Sequence, residues 1–183
     1  MFGSQSGAVS MQILMLEHNG WVPNNPRLPV VIYLNAIASR RIDLASQFEE
    51  TFSANGWPPQ WRDGVYGDHH YHTEGHEVLG IASGHARLML GGPDGFVVEV
   101  RAGDALLLPA GTGHCNLDSS DDFLVVGAYP PGQHADICRE APNKSQLERI
   151  YELPFPNQDP VQRVHGAVRK YWVDRYIQQY LSN

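Results

Sequence analysis

The sequence has no long hydrophobic run, no run of basic residues and little cysteine, and each shortage argues against a class of protein. The first 20 residues, MFGSQSGAVSMQILMLEHNG, contain neither a basic start nor a long apolar stretch, so we expect neither a signal peptide nor a membrane span. The 13 Lys and Arg residues against 20 Asp and Glu residues give a formal net charge of -7, which argues against a nucleic-acid partner. The two cysteines, Cys115 and Cys138, form no CxxC pattern, which indicates a reducing, cytoplasmic location rather than a disulfide scaffold.

The 183 residues predict one domain in which β-strands dominate. Short apolar runs at 12–16 and 30–36 predict two strands, and a helical spacing of apolar residues predicts a helix over 39–55 with Ser39 as its N-cap. From residue 64 onward, short β-favouring runs alternate with Gly, Pro and Asp turn signals. This regular spacing is typical of an all-β sandwich or barrel.

Apolar residues in these runs are the candidate core and pocket lining: Leu79, Ile81, Leu88, Leu90, Leu106, Leu108, Phe123, Val125 and Tyr129. Beyond residue 142 the pattern becomes helical, with a short helix predicted over 144–150. A second helix is predicted from an aromatic stripe at i, i+4 steps, formed by Val168, Trp172, Tyr176 and Tyr180. We expect this stripe to pack on the outside of the β fold or against a second subunit.

Histidines are crowded into GDHHYHTEGHEVLG, residues 67–80. Because side chains alternate along a strand, His70 and His72 face one side, and Gly75 lets the chain turn so that Glu77 can reach the same point. His76 is the alternative to Glu77, but adjacent residues face opposite ways. With His114, which follows a Gly-rich turn, these residues predict a shell of three imidazoles and one carboxylate, suited to Fe, Mn, Ni, Cu or Zn.

The same residues resemble the two motifs of the cupins, a family of jelly-roll β-barrels. The first motif, Gly-x5-His-x-His-x3–4-Glu-x6-Gly, is matched by Gly64, His70, His72, Glu77 and Gly84. The second, Gly-x5-Pro-x-Gly-x2-His-x3-Asn, is matched by Gly103, Pro109, Gly111 and His114. Asp118 stands where Asn is typical, a turn position that does not ligate metal in the family. Two motifs in the correct order form a specific signal, and they cover residues 60–130.

The resemblance implies a single cupin jelly-roll β-barrel, also called a double-stranded β-helix, with an N-terminal helix and a C-terminal helical extension. It also implies that His70, His72, Glu77 and His114 are the metal ligands. We expect residues 1–10 to be a loose N-terminal arm and 11–59 to supply strands and a helix that pack on the barrel. Residues 60–135 would then be the cupin core and 136–183 an extension of the same domain.

A four-ligand centre in an apolar pocket predicts a small-molecule substrate or ligand. We expect a metal-dependent oxidoreductase of the dioxygenase type, acting on a small oxygenated metabolite. The alternatives are isomerase or decarboxylase chemistry, in which the metal acts as a Lewis acid, and a metal-dependent binding module without turnover. Loop residues that can serve as general acid or base are Tyr66, His76, His134 and Asp136. We expect a homodimer, the commonest soluble oligomer.

Overall fold

The computed structural model describes residues 9–38, 43–174 and 177–178, and within them antiparallel β-strands form two sheets. The larger sheet has the strand order β1-β2-β7-β4-β9-β3 and the smaller has β6-β5-β8. The strands are β1 Ser10–Leu14, β2 Val30–Leu34, β3 Pro59–Asp63, β4 Glu77–Ser83, β5 His85–Leu90, β6 Phe96–Arg101, β7 Ala105–Leu108, β8 His114–Ser119 and β9 Leu124–Ala128. The predicted β-dominated fold is confirmed.

A hydrophobic cluster is shared by the two sheets because alternate side chains of each sheet turn toward the other. The larger sheet supplies side chains such as Leu79 and Leu106, and the smaller sheet supplies Leu88 and Leu90. All of the predicted core and lining residues are buried except Phe123, which is partly buried and packs against the same cluster.

The opposite face of the larger sheet is covered by helix α1, Leu44–Ala54. The Asp43 side chain accepts a hydrogen bond from the Ser46 amide (3.1 Å) and caps the helix. The predicted helix over 39–55 is thus confirmed with a later start, and its predicted cap, Ser39, lies outside the described residues. Phe48 and Phe52 are fully buried against the sheet.

Strand β3 was not predicted, because the prolines at 58 and 59 indicated only the end of the preceding helix. The strand lies at the edge of the larger sheet and pairs with β9 alone. An edge strand has one row of backbone groups without a ladder partner, so a proline at its start is tolerated. Its position brings Trp61 beside the carboxyl end of β9.

The C-terminal part of the chain begins with helix α2, Lys144–Glu152, and then forms a π-helix over Val168–Val173. Val168 and Trp172 are buried against the outer face of the larger sheet, as the aromatic stripe predicted, while Tyr176 and Tyr180 lie outside the described residues. The Trp172 indole donates a hydrogen bond to the Pro29 carbonyl at 3.0 Å.

A buried Tyr33 hydroxyl donates to Asp159 at 2.5 Å on this same face. Two amides of the turn that follows and the Val168 amide also donate to the Asp159 carboxylate.

In the described part of the chain no helix has both the length and the apolar character needed to cross a bilayer.

Candidate metal centre

Two of the predicted ligands, His70 and His114, lie opposite each other in an antiparallel bridge. The His70 amide donates to the His114 carbonyl at 3.2 Å, and the His114 amide donates to the His70 carbonyl at 2.9 Å. Directly opposed residues of such a pair project to the same face, so the two rings meet, with centroids 4.1 Å apart. His72, two residues after His70, projects to that face as well, and its carbonyl accepts from the Gly111 amide at 2.7 Å.

Glu77 is the first residue of β4 and lies opposite Leu108 of β7. Its side chain is buried with those of the three histidines. The Glu77 Oε2 atom lies 3.3 Å from Nε2 of His72 and 3.4 Å from Nε2 of His114. The structure therefore brings together all four residues that the motifs predict as ligands.

Each of the three histidines has its Nδ1 atom beside a backbone carbonyl oxygen. The distances are 3.0 Å from His70 to Asp68, 2.6 Å from His72 to Asp136 and 3.0 Å from His114 to Thr112. A carbonyl oxygen can only accept a hydrogen bond, so each Nδ1 carries the proton. The neutral rings consequently present the Nε2 lone pair, which is the form that binds a metal.

The ligand atoms of His70, His72 and His114 all lie within 4.8 Å of one another. Glu77 Oε2 is buried and, among the described residues, has no hydrogen-bond partner with proper geometry despite its nearness to two imidazoles. Glu77 Oε2 and the Nε2 lone pairs of the neighbouring imidazoles are all electron-pair donors, and no proton lies between them. A divalent cation satisfies all of them at once, so these residues fit a metal.

The electrostatics of the site agree with this donor set. Burial and the neighbouring His114 lower the pKa of His70 to about 3, so its imidazole is neutral. Burial also acts to lower the pKa of His72, but the Glu77 carboxylate outweighs it and the pKa is raised. Burial opposes ionisation of Glu77, yet His72 and His114 hold its pKa well below the usual range.

The turn that leads to His114 is braced by the N-terminal segment of the chain. Gly111 has φ +90°, and a Cβ atom at this residue would lie 2.6 Å from the Asn24 carbonyl oxygen. The Asn24 side chain accepts a hydrogen bond from the Gly113 amide at 3.0 Å. A glycine is therefore required at 111, both for the backbone conformation and for the close approach of Asn24.

The candidate ligands form part of the wall of a cavity of about 500 Å³. Aromatic and apolar side chains form much of its wall, including Trp61, Tyr129 and Leu79. Two of the predicted acid–base candidates, Tyr66 and His134, also line it. Tyr66 packs edge-on against the His70 ring with centroids 5.3 Å apart, and His134 pairs through Nε2 with Glu74 at 2.6 Å.

The other two candidates lie elsewhere, because the cavity wall formed by the described residues includes neither His76 nor Asp136. His76 turns to the opposite side of the chain from Glu77, accepts a hydrogen bond from the Ala110 amide at 3.0 Å and packs against Trp172. This orientation also disfavours His76 as the alternative ligand to Glu77. The Asp136 carboxylate accepts hydrogen bonds from the amide and hydroxyl of Thr73 and is directed away from the cavity.

Sequence reasoning missed two contributions to the site. Tyr129 was predicted only as a core or lining residue, but its hydroxyl donates to Glu77 Oε1 at 2.6 Å. Trp61, in the strand that was not predicted, donates from Nε1 to the Tyr129 hydroxyl at 2.8 Å. The sequence signals in both cases were weak, because each contact joins residues more than 50 positions apart.

Comparison with known proteins found a relative that is similar over most of this chain. The uncharacterized protein YjlB of Bacillus subtilis (strain 168) is 34% identical over 164 residues, which cover 88% of this chain and 96% of YjlB. A scan against protein-family models found no match.

Three solved structures are similar at low sequence identity. An uncharacterized conserved Klebsiella pneumoniae protein with a double-stranded β-helix domain has 15% identity and a TM-score of 0.34, covering 77% of this chain and 86% of that one. A cupin 2 domain-containing protein from Halorhodospira halophila has 12% identity and a TM-score of 0.29, covering 81% and 80%. Streptomyces albus HEPD, with 2-hydroxyethylphosphonate and Fe(II) bound, has 8% identity and a TM-score of 0.28, covering 72% and 22%.

The residues of the two motifs meet in the folded chain. His70, His72 and Glu77 come from the first motif and His114 from the second, and the antiparallel pairing of the two segments makes one buried cluster. Its two motifs and two antiparallel sheets resemble those of the cupins, and its similarity to YjlB over nearly the whole length of both proteins shows that the chain belongs to the family of YjlB.

Proposed function

We propose that this protein is a metal-dependent oxidoreductase of the dioxygenase type, which oxidises a small oxygenated metabolite. His70, His72, Glu77 and His114 would hold the metal. The observation that carries the proposal is the convergence of three imidazoles on a buried carboxylate oxygen, Glu77 Oε2, which has no hydrogen-bond partner among the described residues, at the wall of a cavity of about 500 Å³.

The donor set selects the class of metal. Imidazole suits most divalent first-row ions and the carboxylate favours the harder ones, so Fe and Mn lead, followed by Ni, Cu and Zn. Such an ion, when bound, supplies Lewis acidity and, if redox-active, electron transfer between substrate and dioxygen. Dioxygen is the oxidant in the proposed reaction, and both of its atoms enter the product.

The residues of this chain would bind and orient the substrate beside that ion. The aromatic side chains of Trp61 and Tyr66 offer flat apolar contacts, whereas Gln60 and His134 add polar groups to the same cavity. We assign proton transfer to His134, because its ring lines the cavity and the Glu74 carboxylate holds its Nε2 at 2.6 Å. Tyr66 is the second candidate for this role.

Oxygen uptake tests the proposal. Protein loaded anaerobically with Fe(II) should consume dioxygen with at least one member of a panel of small hydroxy and oxo acids, diols and enols. The variant His114→Ala should lose this uptake, while His85→Ala, which removes an exposed histidine on β5, should keep it. Product formation without oxygen uptake would favour isomerase or decarboxylase chemistry instead. Stabilisation by metal without turnover of any compound would favour a binding module.

A further inference from the structure

A chain of hydrogen bonds fixes one oxygen of the candidate ligand Glu77. Trp61 Nε1 donates to the Tyr129 hydroxyl at 2.8 Å, and that hydroxyl lies 2.6 Å from Glu77 Oε1. An indole N–H can only donate, so the Tyr129 oxygen must use a lone pair to receive it. The single hydroxyl proton of Tyr129 is therefore directed at Glu77.

The two oxygens of the Glu77 carboxylate consequently differ. Oε1 is engaged by the Tyr129 hydroxyl, whereas Oε2 faces the Nε2 atoms of His72 and His114 at 3.3 and 3.4 Å. Both tyrosine and carboxylate are almost fully buried, with 1% and 2% of their surfaces exposed, so water does not compete for this hydrogen bond. A charge-assisted bond in such surroundings is strong and holds the carboxylate in one orientation.

The position of Trp61 is fixed in turn by strand pairing. Trp61 of β3 lies opposite Gly127 of β9, and a Cβ atom on Gly127 would lie 2.0 Å from Cε2 of the indole. The ring thus lies directly on the backbone of Gly127. Tyr129 follows two residues later on the same face, which brings its hydroxyl to the indole N–H.

We propose that Tyr129 is a positioning residue that restricts Glu77 to binding the metal through Oε2 alone, and that Trp61 fixes the direction of the Tyr129 hydroxyl. The restriction leaves one more coordination position on the ion for water or substrate than a carboxylate bound through both oxygens would leave. This inference rests on the metal centre of the proposed function, but not on which reaction the centre performs.

Tyr129 does not serve as an acid or base in this arrangement. Burial and the adjacent Glu77 charge raise its pKa, so the phenol stays protonated as a hydrogen-bond donor. Its hydroxyl already donates to one partner and accepts from another. The contribution of Tyr129 is therefore expected in the coordination of the metal.

The number of water ligands on bound Mn(II) tests the proposal, because it determines how strongly the ion relaxes bulk water protons. An octahedral ion with four protein ligands keeps two water positions, and a second Glu77 oxygen would displace one of them. In Tyr129→Phe, Oε1 loses its donor and is free to bind the ion. The relaxivity of bound Mn(II) should then fall about twofold relative to wild type.

Two further variants make the test specific. Trp61→Phe removes the indole donor, keeps a smaller aromatic ring at a half-buried position, and should lower the relaxivity by a smaller amount than Tyr129→Phe. Tyr33→Phe is the matched control, because it breaks another buried tyrosine–carboxylate hydrogen bond, to Asp159, on the opposite face of the larger sheet. It should leave the relaxivity of bound Mn(II) unchanged. If Tyr129→Phe does not fold, Trp61→Phe decides the question.

The outcomes separate this inference from the function on which it rests. Wild-type relaxivity in Mn(II)-loaded Tyr129→Phe, or in Trp61→Phe if the first variant is unfolded, would overturn the role of Tyr129 and leave the metal centre intact. Failure of the wild type to bind Mn(II) or any other divalent transition metal would overturn the centre itself, and the role of Tyr129 with it.

Discussion

Asp136 should control both the stability of the protein and its affinity for metal, although its carboxylate does not reach the cavity. Its Oδ1 atom accepts from the amides of Thr73 and Glu74 at 2.7 and 2.9 Å, and its Oδ2 atom accepts from the Thr73 hydroxyl at 2.6 Å. These bonds hold the loop that contains Asp136 against the segment that follows His72. The Asp136 carbonyl then accepts from His72 Nδ1 at 2.6 Å, which orients a candidate ligand.

The substitution Asp136→Ala removes the acceptor of the three hydrogen bonds from Thr73 and Glu74, and of a fourth from the Cys138 thiol, while leaving the donors in place. Each hydrogen bond to a charged group contributes about 1.5–3 kcal/mol. Asp136 and its partner Glu74 are half-buried, so water replaces part of the loss, and we expect the free energy of unfolding to fall by about 2–4 kcal/mol. In this variant the Asp136 carbonyl is no longer held in place beside His72 Nδ1. Metal binding should therefore weaken about 10–100-fold, as expected for a residue that orients a histidine ligand.

Urea unfolding of the metal-free protein and equilibrium dialysis against Zn(II) measure the two effects separately. Asp136→Asn keeps an oxygen for the Thr73 and Glu74 amides, so it should lie between the wild type and Asp136→Ala in both assays. A destabilised variant with an intact site, such as Tyr33→Phe, should retain wild-type affinity. An Asp136→Ala protein with wild-type stability and wild-type affinity would refute the argument.

Three further predictions concern stability, metal content and oligomeric state. Tyr33→Phe leaves the buried Asp159 carboxylate without one of its donors. The free energy of unfolding, measured in urea, should fall by about 1–3 kcal/mol, with no loss of bound metal. Gly111→Ala forces a side chain onto a residue with φ +90° and onto the Asn24 carbonyl. This substitution should lower the free energy of unfolding by about 1–3 kcal/mol. It should also reduce the metal content, because His114 follows the turn. Light scattering should give the mass of a homodimer, and a monomer at working concentration would exclude that state.

The candidate ligands could be predicted from the sequence because local geometry decides them. Alternation along an extended segment put His70 and His72 on one face, and the structure has both rings in one cluster. Alternation likewise separated Glu77 from His76, whose side chain is buried on the other side of the chain. Pairing of the two motif segments, which adds His114, followed from the resemblance to the cupins.

The surroundings of the ligands could not be predicted because they depend on contacts between distant parts of the chain. The bond between Tyr129 and Glu77 exists because β9 lies beside β4, and the sequence does not specify which strands pair. Asp136 attracted attention as a titratable residue, yet its carbonyl, which every residue has, is the group that contacts His72. Side-chain chemistry in a sequence does not reveal such a backbone role.

The secondary structure differs from the prediction at two elements. An edge strand tolerates Pro59, so the proline that ended the helix prediction also begins β3. The C-terminal aromatic stripe predicted an ordinary helix, and Val168 and Trp172 are buried as expected, but the backbone over Val168–Val173 is a π-helix. We have no physical account of this choice of helix from the sequence.

The central claim is that His70, His72, Glu77 and His114 hold one divalent transition metal. The most direct test is elemental analysis by mass spectrometry of protein purified without a metal-binding tag, for the wild type, His72→Ala, His114→Ala and the exposed-histidine control His85→Ala. We expect close to one equivalent of Fe, Mn, Ni, Cu or Zn in the wild type and in His85→Ala, and loss of the metal in the other two variants. A folded wild type that contains no metal and cannot be loaded with any, or equal metal content in all four proteins, would contradict the claim.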